Sequence, residues 1–322
     1  MPTKGREQGE VVDASKSILM LGTNASFVKH FEERDEPYCA GLTKLTPISN
    51  GCYFSCEYCY MQQTYRKVFP FIKFAVNYDD MLAELERETK KGPRVYDMGE
   101  LQDSLSFDEL YPLTRILVPF FADTDSKLLL LTKSDCIDNL VSLQGVHNGR
   151  TIASWSINSQ FVIDNMEHNT ATLDQRVQSA SRVQEAGYEL RFRFDPLIMT
   201  ENWRQEYSEM VEIIFLNTQP SRVTLGSFRL EGGLFRAISE RFPDSLLLDP
   251  SKLNSRDGKP VKSEDGKFRY REDIRIELYR LLIEEIRKRS DVDIALCKES
   301  SDVWEAVGLE LDKGNCKCHC RF

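Results

Sequence analysis

The chain has 322 residues, 41% of them hydrophobic and 29% charged, the balance of an ordinary folded protein with room for a sizeable core. Its 42 basic against 51 acidic residues give a net charge of −9, which excludes a surface that binds polyanions throughout but leaves room for a local basic groove. No stretch approaches the ~18 apolar residues of a membrane span, and Met1 to Asp13 lack the apolar core of a secretory signal. A cytoplasmic protein with no membrane contact is expected.

Residues 1–36 are rich in charge and read as an arm, extended or partly helical. A strand is expected at Leu42–Ile48, then a cysteine loop and a helix from about Cys59 to Lys67. Phe71–Val76 reads as a strand and Asp79–Lys90 as a helix, with Met81, Leu82 and Leu85 at the helical period. Strand and helix then alternate: Arg94–Leu101 with Phe107–Phe121, Leu128–Thr132 with Cys136–Gln144, and Thr151–Ile157 with Leu173–Ala186, which Gly187 ends. Leu190–Ile198 with Trp203–Leu216 and Val223–Arg229 with Leu234–Arg241 complete the series. Such alternation means βαβ units and a parallel sheet. Six units favour a partial, open (β/α)6 barrel over residues 37–241, with its site at the C-terminal strand ends. Residues 242–322 read as an α/β extension: a polar loop or hairpin at 249–271, an amphipathic helix at Glu272–Arg289, a strand at Val292–Leu296, a short helix at Val303–Val307 and a cysteine-rich tail.

The cysteines number nine, an odd count, and six of them cluster in two places, which suits metal ligation better than disulfides. The first cluster is Asn50-Gly-Cys-Tyr-Phe-Ser-Cys-Glu-Tyr-Cys-Tyr60. Its thiols Cys52, Cys56 and Cys59 have the spacing Cys-x3-Cys-x2-Cys and can hold three irons of a cubane 4Fe-4S cluster. Zinc would need a fourth ligand, and His30 and His147 are both distant in sequence. The second cluster is Cys316, Cys318 and Cys320. Cys297, after an apolar strand, could complete a four-ligand set for an auxiliary iron–sulfur cluster or zinc. The alternative is a mobile tail whose thiols bind nothing. Arg191, Arg193 and Asp195 alternate along one strand, with Arg222, Arg229 and Arg236 in and around the next. Facing the barrel mouth they could grip a phosphate or carboxylate; facing outward they are solvated charge.

Cys-x3-Cys-x-aromatic-Cys after the first strand of a (β/α) barrel resembles the signature of the radical S-adenosylmethionine (SAM) superfamily, with Tyr58 in the aromatic slot. Further segments resemble the spore photoproduct lyase family: Cys56-Glu-Tyr-Cys-Tyr-Met-Gln-Gln-Thr, Val76-Asn77, Leu131-Thr-Lys133, His147-Asn-Gly-Arg150, Ser156-Ile-Asn158, and Leu173-Asp-Gln-Arg176 running into Ala186-Gly-Tyr188. The resemblance implies a cluster iron that chelates SAM and a 5′-deoxyadenosyl radical that abstracts hydrogen from a substrate. It also implies an electron donor such as flavodoxin or ferredoxin.

The same resemblance suggests residue roles. Lys133 would pair with the SAM carboxylate, and Ser156 and Asn158 would bond its methionine part. Glu100, in Met98-Gly-Glu100, would receive the SAM ammonium, and Tyr58 would sit beside the cofactor. The plain alternatives are a surface lysine, strand-to-loop hydrogen bonds and a solvated loop acid. Spore photoproduct lyase, which repairs a thymine dimer in DNA, carries a hydrogen-donating cysteine after its second barrel strand. The corresponding stretch here, Gly99-Glu-Leu-Gln-Asp103, has none. Cys136 could face the same cavity and serve instead, or it could be a buried helix cysteine. The lost cysteine and the acidic balance favour a small molecule, nucleoside or peptide as substrate over DNA. A thymine-dimer lyase is the alternative, and a non-catalytic zinc-binding module a second one.

Overall fold

The computed structural model describes residues 12, 14–31, 42–63, 71–256, 259–263 and 266–311. Its frame is an eight-stranded sheet of β1 (Val28–Phe31), β2 (Leu42–Leu45), β3 (Val95–Asp97), β4 (Lys127–Thr132), β5 (Thr151–Ser156), β6 (Glu189–Leu197), β7 (Arg222–Ser227) and β8 (Asp293–Leu296). The strands lie side by side in chain order, with β1 and β8 at the two edges. From β2 to β8 every neighbouring pair is parallel, and only β1 runs antiparallel, against β2. The two edges do not pair with each other, so the barrel is open. The six expected strands are β2 to β7. The C-terminal extension adds β8 to the same sheet.

Parallel strands covered on both faces read as apolar runs. Accordingly, β5 is buried at all six positions. Alternation then divides each strand between two faces. Leu128 and Leu130 join the main core, while Leu129 packs with Val95 and Ile152 in a separate small cluster. That second cluster closes the floor of the barrel interior. Above it the inward positions turn polar: Lys133 follows β4, Ser156 ends β5, and Arg193 and Asp195 lie on β6.

Nine helices are described: α1 (Tyr78–Thr89), α2 (Thr114–Ala122), α3 (Asp138–Ser142), α4 (Gln160–Met166), α5 (Leu173–Glu185), α6 (Trp203–Asn217), α7 (Gly232–Arg241), α8 (Glu272–Arg287) and α9 (Ser301–Ala306). Helix α5 starts in a capping box between Thr172 and Gln175, and Gly187 follows its end at φ +92°. Helix α2 begins later than the periodicity predicts. Tyr111 precedes Pro112 and is disfavoured in a helix. The first turn is instead held by Asp108, which accepts from the Thr114 amide at 3.0 Å. The expected helix after Cys59 is helical over residues 61–63, and its remainder lies outside the described residues. Within the N-terminal arm, Leu19–Gly22 is a strand of a small sheet with Ile72–Ala75 and Ile48–Ser49. No helix among the described residues is long and apolar enough to cross a membrane.

Candidate active site

The cysteine loop leaves β2 through a turn that sequence dictates. Asn50 takes a left-handed φ of 52°, and a Cβ on Gly51 would stand 2.6 Å from the Gln102 Cβ. Gly51 therefore lets the loop lie against the segment that follows β3. A two-residue strand, Ser55–Cys56, then pairs antiparallel with Glu167–His168, placing Cys56 opposite Glu167. From the arm, Val12 packs against Met61, Cys52 and Cys59, and Lys16 donates to the Phe54 carbonyl.

Cys52, Cys56 and Cys59 open into one cleft of about 410 Å³ at the C-terminal ends of the strands. The same cleft is lined by Lys44, Tyr58, Tyr60, Glu100, Lys133, Ser156, Arg193, Asp195, Arg229 and Lys298. Burial pushes the Cys52 and Cys56 thiols up, Cys56 to about 12, so their thiolate forms call for a metal cation. Among the described residues no three thiol, imidazole or carboxylate groups are gathered about a single-ion point. A cubane presents a separate iron to each thiolate and asks for wider spacing than one ion does. The chemistry and shared exposure of the three thiols fit that group.

One wall is built on β4, β5 and α4. Asp103 accepts from the Lys133 amide at 2.8 Å and from the Thr132 hydroxyl at 2.7 Å, fixing the end of β4. The Lys133 ammonium donates to the Ser156 hydroxyl and stands 3.4 Å from Glu167. Glu167 also pairs with Arg176 at 2.6 Å and accepts from the Tyr58 hydroxyl. Burial would raise the Glu167 pKa, but the Lys133 and Arg176 charges outweigh it and hold the carboxyl down at about 2.

The opposite wall is an ion lattice. Asp195 accepts from Arg193 at 2.8 Å and from Arg229 at 2.9 Å. Gly226 makes room for it, since a Cβ there would stand 2.5 Å from the Asp195 carboxyl carbon. Glu100 lies 3.6 Å from Lys44 and 3.7 Å from Arg193. Burial opposes its ionisation, yet Arg193, Lys44 and Lys298 hold its carboxyl below the ordinary value. Arg191 pairs with Glu189 and Arg236 with Glu240, both away from the cleft.

The structure thus brings Tyr58, Glu100, Lys133 and Ser156 to the cleft beside the three thiols. Asn158 is not brought there. It is 1% exposed, donates to the Pro196 carbonyl and accepts from the Tyr207 hydroxyl, so its amide is spent inside the fold. Cys136 lies in a different groove, with Asp108, Glu109 and Asn139. The chain turns outward after Lys133, where Trp155 donates to the Ser134 carbonyl, and this carries Cys136 away from the interior. Cys297 sits behind the second wall, where Arg193 and Arg229 approach its sulfur to 3.6 and 3.5 Å. Cys316, Cys318 and Cys320 lie outside the described residues. Glu167 escaped the sequence reading, and Asp103 and Arg176 entered it only as members of quoted segments, with no role of their own. No local spacing marks Glu167, because its Tyr58 and Cys56 contacts lie far away in sequence.

The family model for spore photoproduct lyase matches residues 5–293. The chain belongs to the spore photoproduct lyase family. Spore photoproduct lyases of Clostridium acetobutylicum and a Geobacillus species are 30% and 31% identical to it over 83% and 80% of this chain, and the matches cover 75% of each relative. A solved spore photoproduct lyase complexed with a dinucleoside spore photoproduct superposes with a TM-score of 0.76 at 25% identity, covering 91% of this chain and 86% of that one. A doubly substituted form with bound AdoMet and the dinucleoside gives the same TM-score at 25% identity, covering 92% of this chain and 86% of its own. The open α/β barrel and the radical SAM lyase class expected from the sequence are therefore borne out.

Proposed function

We propose that the chain cleaves SAM reductively at a 4Fe-4S cluster held by Cys52, Cys56 and Cys59, and acts on a nucleoside or nucleotide at the cleft mouth. The observation that carries this reading is the shared cleft. Three thiols of one loop open beside Lys133, Ser156 and Glu100 at the C-terminal ends of parallel strands. A cluster held there would supply the one electron that cleaves SAM to methionine and a 5′-deoxyadenosyl radical, the species that would abstract hydrogen from substrate. Lys133 and Ser156 would orient the SAM carboxylate, and Glu100 would accept from its ammonium. An electron donor of the flavodoxin or ferredoxin kind would serve the cluster.

The substrate class rests on charge. Six basic side chains line the cleft (Lys44, Lys133, Arg193, Arg229, Lys267 and Lys298) against four acidic ones (Glu100, Asp103, Asp195 and Glu231). A cleft with this basic excess, on a chain of net charge −9, suits the phosphate of a nucleotide better than a long polyanion, whereas a neutral nucleoside would be held through its base and sugar alone. The bound dinucleoside in a neighbouring structure supports a nucleobase at the mouth and favours a second reading, repair of a thymine dimer in DNA. The absence of a cysteine from Gly99–Asp103 weighs against that reading. Deuterated nucleosides, nucleotides and dinucleosides, offered to the reconstituted enzyme with SAM, should pass deuterium into 5′-deoxyadenosine. SAM cleavage without transfer from any of them would overturn the substrate class and point to a peptide or small metabolite.

The tail supports one more proposal, an auxiliary cluster or zinc on Cys297, Cys316, Cys318 and Cys320. The two guanidiniums beside Cys297 oppose it, since they put positive charge where a metal cation would have to sit. Truncation after Glu310 decides between them. A second cubane predicts about eight irons in the full chain and about four in the truncated one; zinc predicts the loss of one zinc. Equal metal content in both proteins would make the tail thiols non-ligands.

A further inference from the structure

We propose that Glu167 is a positioning residue whose buried carboxylate couples the cation that receives SAM to the loop that carries the cluster ligands. The inference rests on the reading of Lys133 as the partner of the SAM carboxylate. Glu167 and Arg176 are both fully buried and 2.6 Å apart. Arg176 is itself pinned: it donates to the Ala171 carbonyl at 2.8 Å, the Ser156 carbonyl at 2.9 Å and the Thr170 hydroxyl at 2.6 Å. Its charge balances Glu167 permanently.

Two further groups reach the same carboxylate, both at Oε1, while Arg176 holds Oε2. The Tyr58 hydroxyl donates to it from the cysteine loop, between Cys56 and Cys59. The Lys133 ammonium stands 3.4 Å away, at the end of β4. The Glu167 backbone meanwhile pairs with Cys56, and the Glu57 amide donates to the Met166 carbonyl at 2.9 Å. One residue thus touches a cluster ligand through its backbone and both functional side chains through its carboxylate.

The charges show why this arrangement can work. Lys133, Arg176 and Glu167 together carry one positive charge. A SAM carboxylate beside Lys133 brings the group to neutrality. It can do so without stripping Glu167, which keeps Arg176 and Tyr58. Lys133 is therefore held in place before SAM arrives by a partner that need not be displaced. Tyr58, and with it the loop, is fixed relative to that cation.

Glu167→Gln leaves Arg176 buried without its counter-charge and is expected to destabilise the fold strongly, which would confound a binding measurement. The lead variants are therefore Tyr58→Phe, Lys133→Met and the double variant, each full-length and reconstituted. SAM affinity is read by equilibrium dialysis, and the response of the reduced cluster to SAM by electron paramagnetic resonance. Tyr58→Phe should keep its iron and lose roughly threefold to tenfold in SAM affinity, less than the full worth of a hydrogen bond to a carboxylate, because this bond reaches SAM only through Glu167 and Lys133. Lys133→Met should lose roughly tenfold to a hundredfold. The double variant should lose clearly less than the product of the two, because both act through one carboxylate. Tyr58→Phe should also weaken the change that SAM makes in the cluster spectrum. Multiplying effects, or a Tyr58→Phe protein that binds SAM as the wild type does, would overturn the coupling and leave Lys133 as the SAM cation. Unchanged affinity in Lys133→Met would overturn that reading and the coupling together.

Discussion

Alanine at Cys52, Cys56 or Cys59, one position at a time, is expected to abolish 5′-deoxyadenosine formation. In the proposed cubane each thiolate would ligate one iron, and two such ligands would not hold it. The loss should be complete because no spare thiol is at hand: of the described cysteines, only these three line the cleft. Cys136 lies in another groove, and Cys297 stands behind Arg193 and Arg229. The loop is also held independently of the cluster, through Gly51 against Gln102 and through the Cys56–Glu167 pairing. The variants should therefore fold, and low iron content would reflect the missing ligand. Iron and sulfide analysis with chromatographic assay of 5′-deoxyadenosine checks the result. Wild-type formation of 5′-deoxyadenosine in any of the three would sink the ligand assignment.

The barrel was legible because its strands are buried on both faces and so stand out as short apolar runs between turn residues. Lys127–Thr132 and Thr151–Ser156 are examples. Lys133 and Ser156 were legible for a related reason: a polar residue directly after, or at the end of, such a run falls at the barrel mouth. What misled was direction. Asn158 continues the same strand line as Ser156, but the chain is already entering the turn to α4, and the amide is taken up by Pro196 and Tyr207. Cys136 is three residues past Lys133, and three residues suffice to leave the interior. Glu167 left no trace, because its meaning lies in Tyr58, 109 residues away, and in an arginine on the next helix. Helix α4, which carries the chain to Glu167, is only seven residues long and gives little periodic signal.

Arg176→Met is expected to cost about 3–5 kcal/mol of stability, since it takes the nearest counter-charge from a buried carboxylate and leaves it Tyr58 and the longer Lys133 contact. For a chain of this size that is a fall of roughly 4–7 °C in Tm. The exposed Arg182, 3.7 Å from Asp138, is the control on the same helix, and Arg182→Met should change stability by no more than about 1 kcal/mol. The sign with pH follows from Glu167. Its folded pKa, about 2, lies below the ordinary carboxylate value of 4.5, so its contribution is fully present above that value. As pH falls from 4.5 towards 2, the carboxylate protonates in the unfolded chain first and the contribution is lost. The gap between wild type and Arg176→Met should therefore be wide at pH 7 and narrow through that window. Chemical denaturation of the metal-free proteins at a series of pH values measures it. A gap at pH 7 no larger than that of Arg182→Met would mean that Glu167 does not depend on Arg176. A gap that stays constant down to pH 3 would mean that the stabilisation comes from the packing of the arginine stem and its carbonyl bonds rather than from the ion pair.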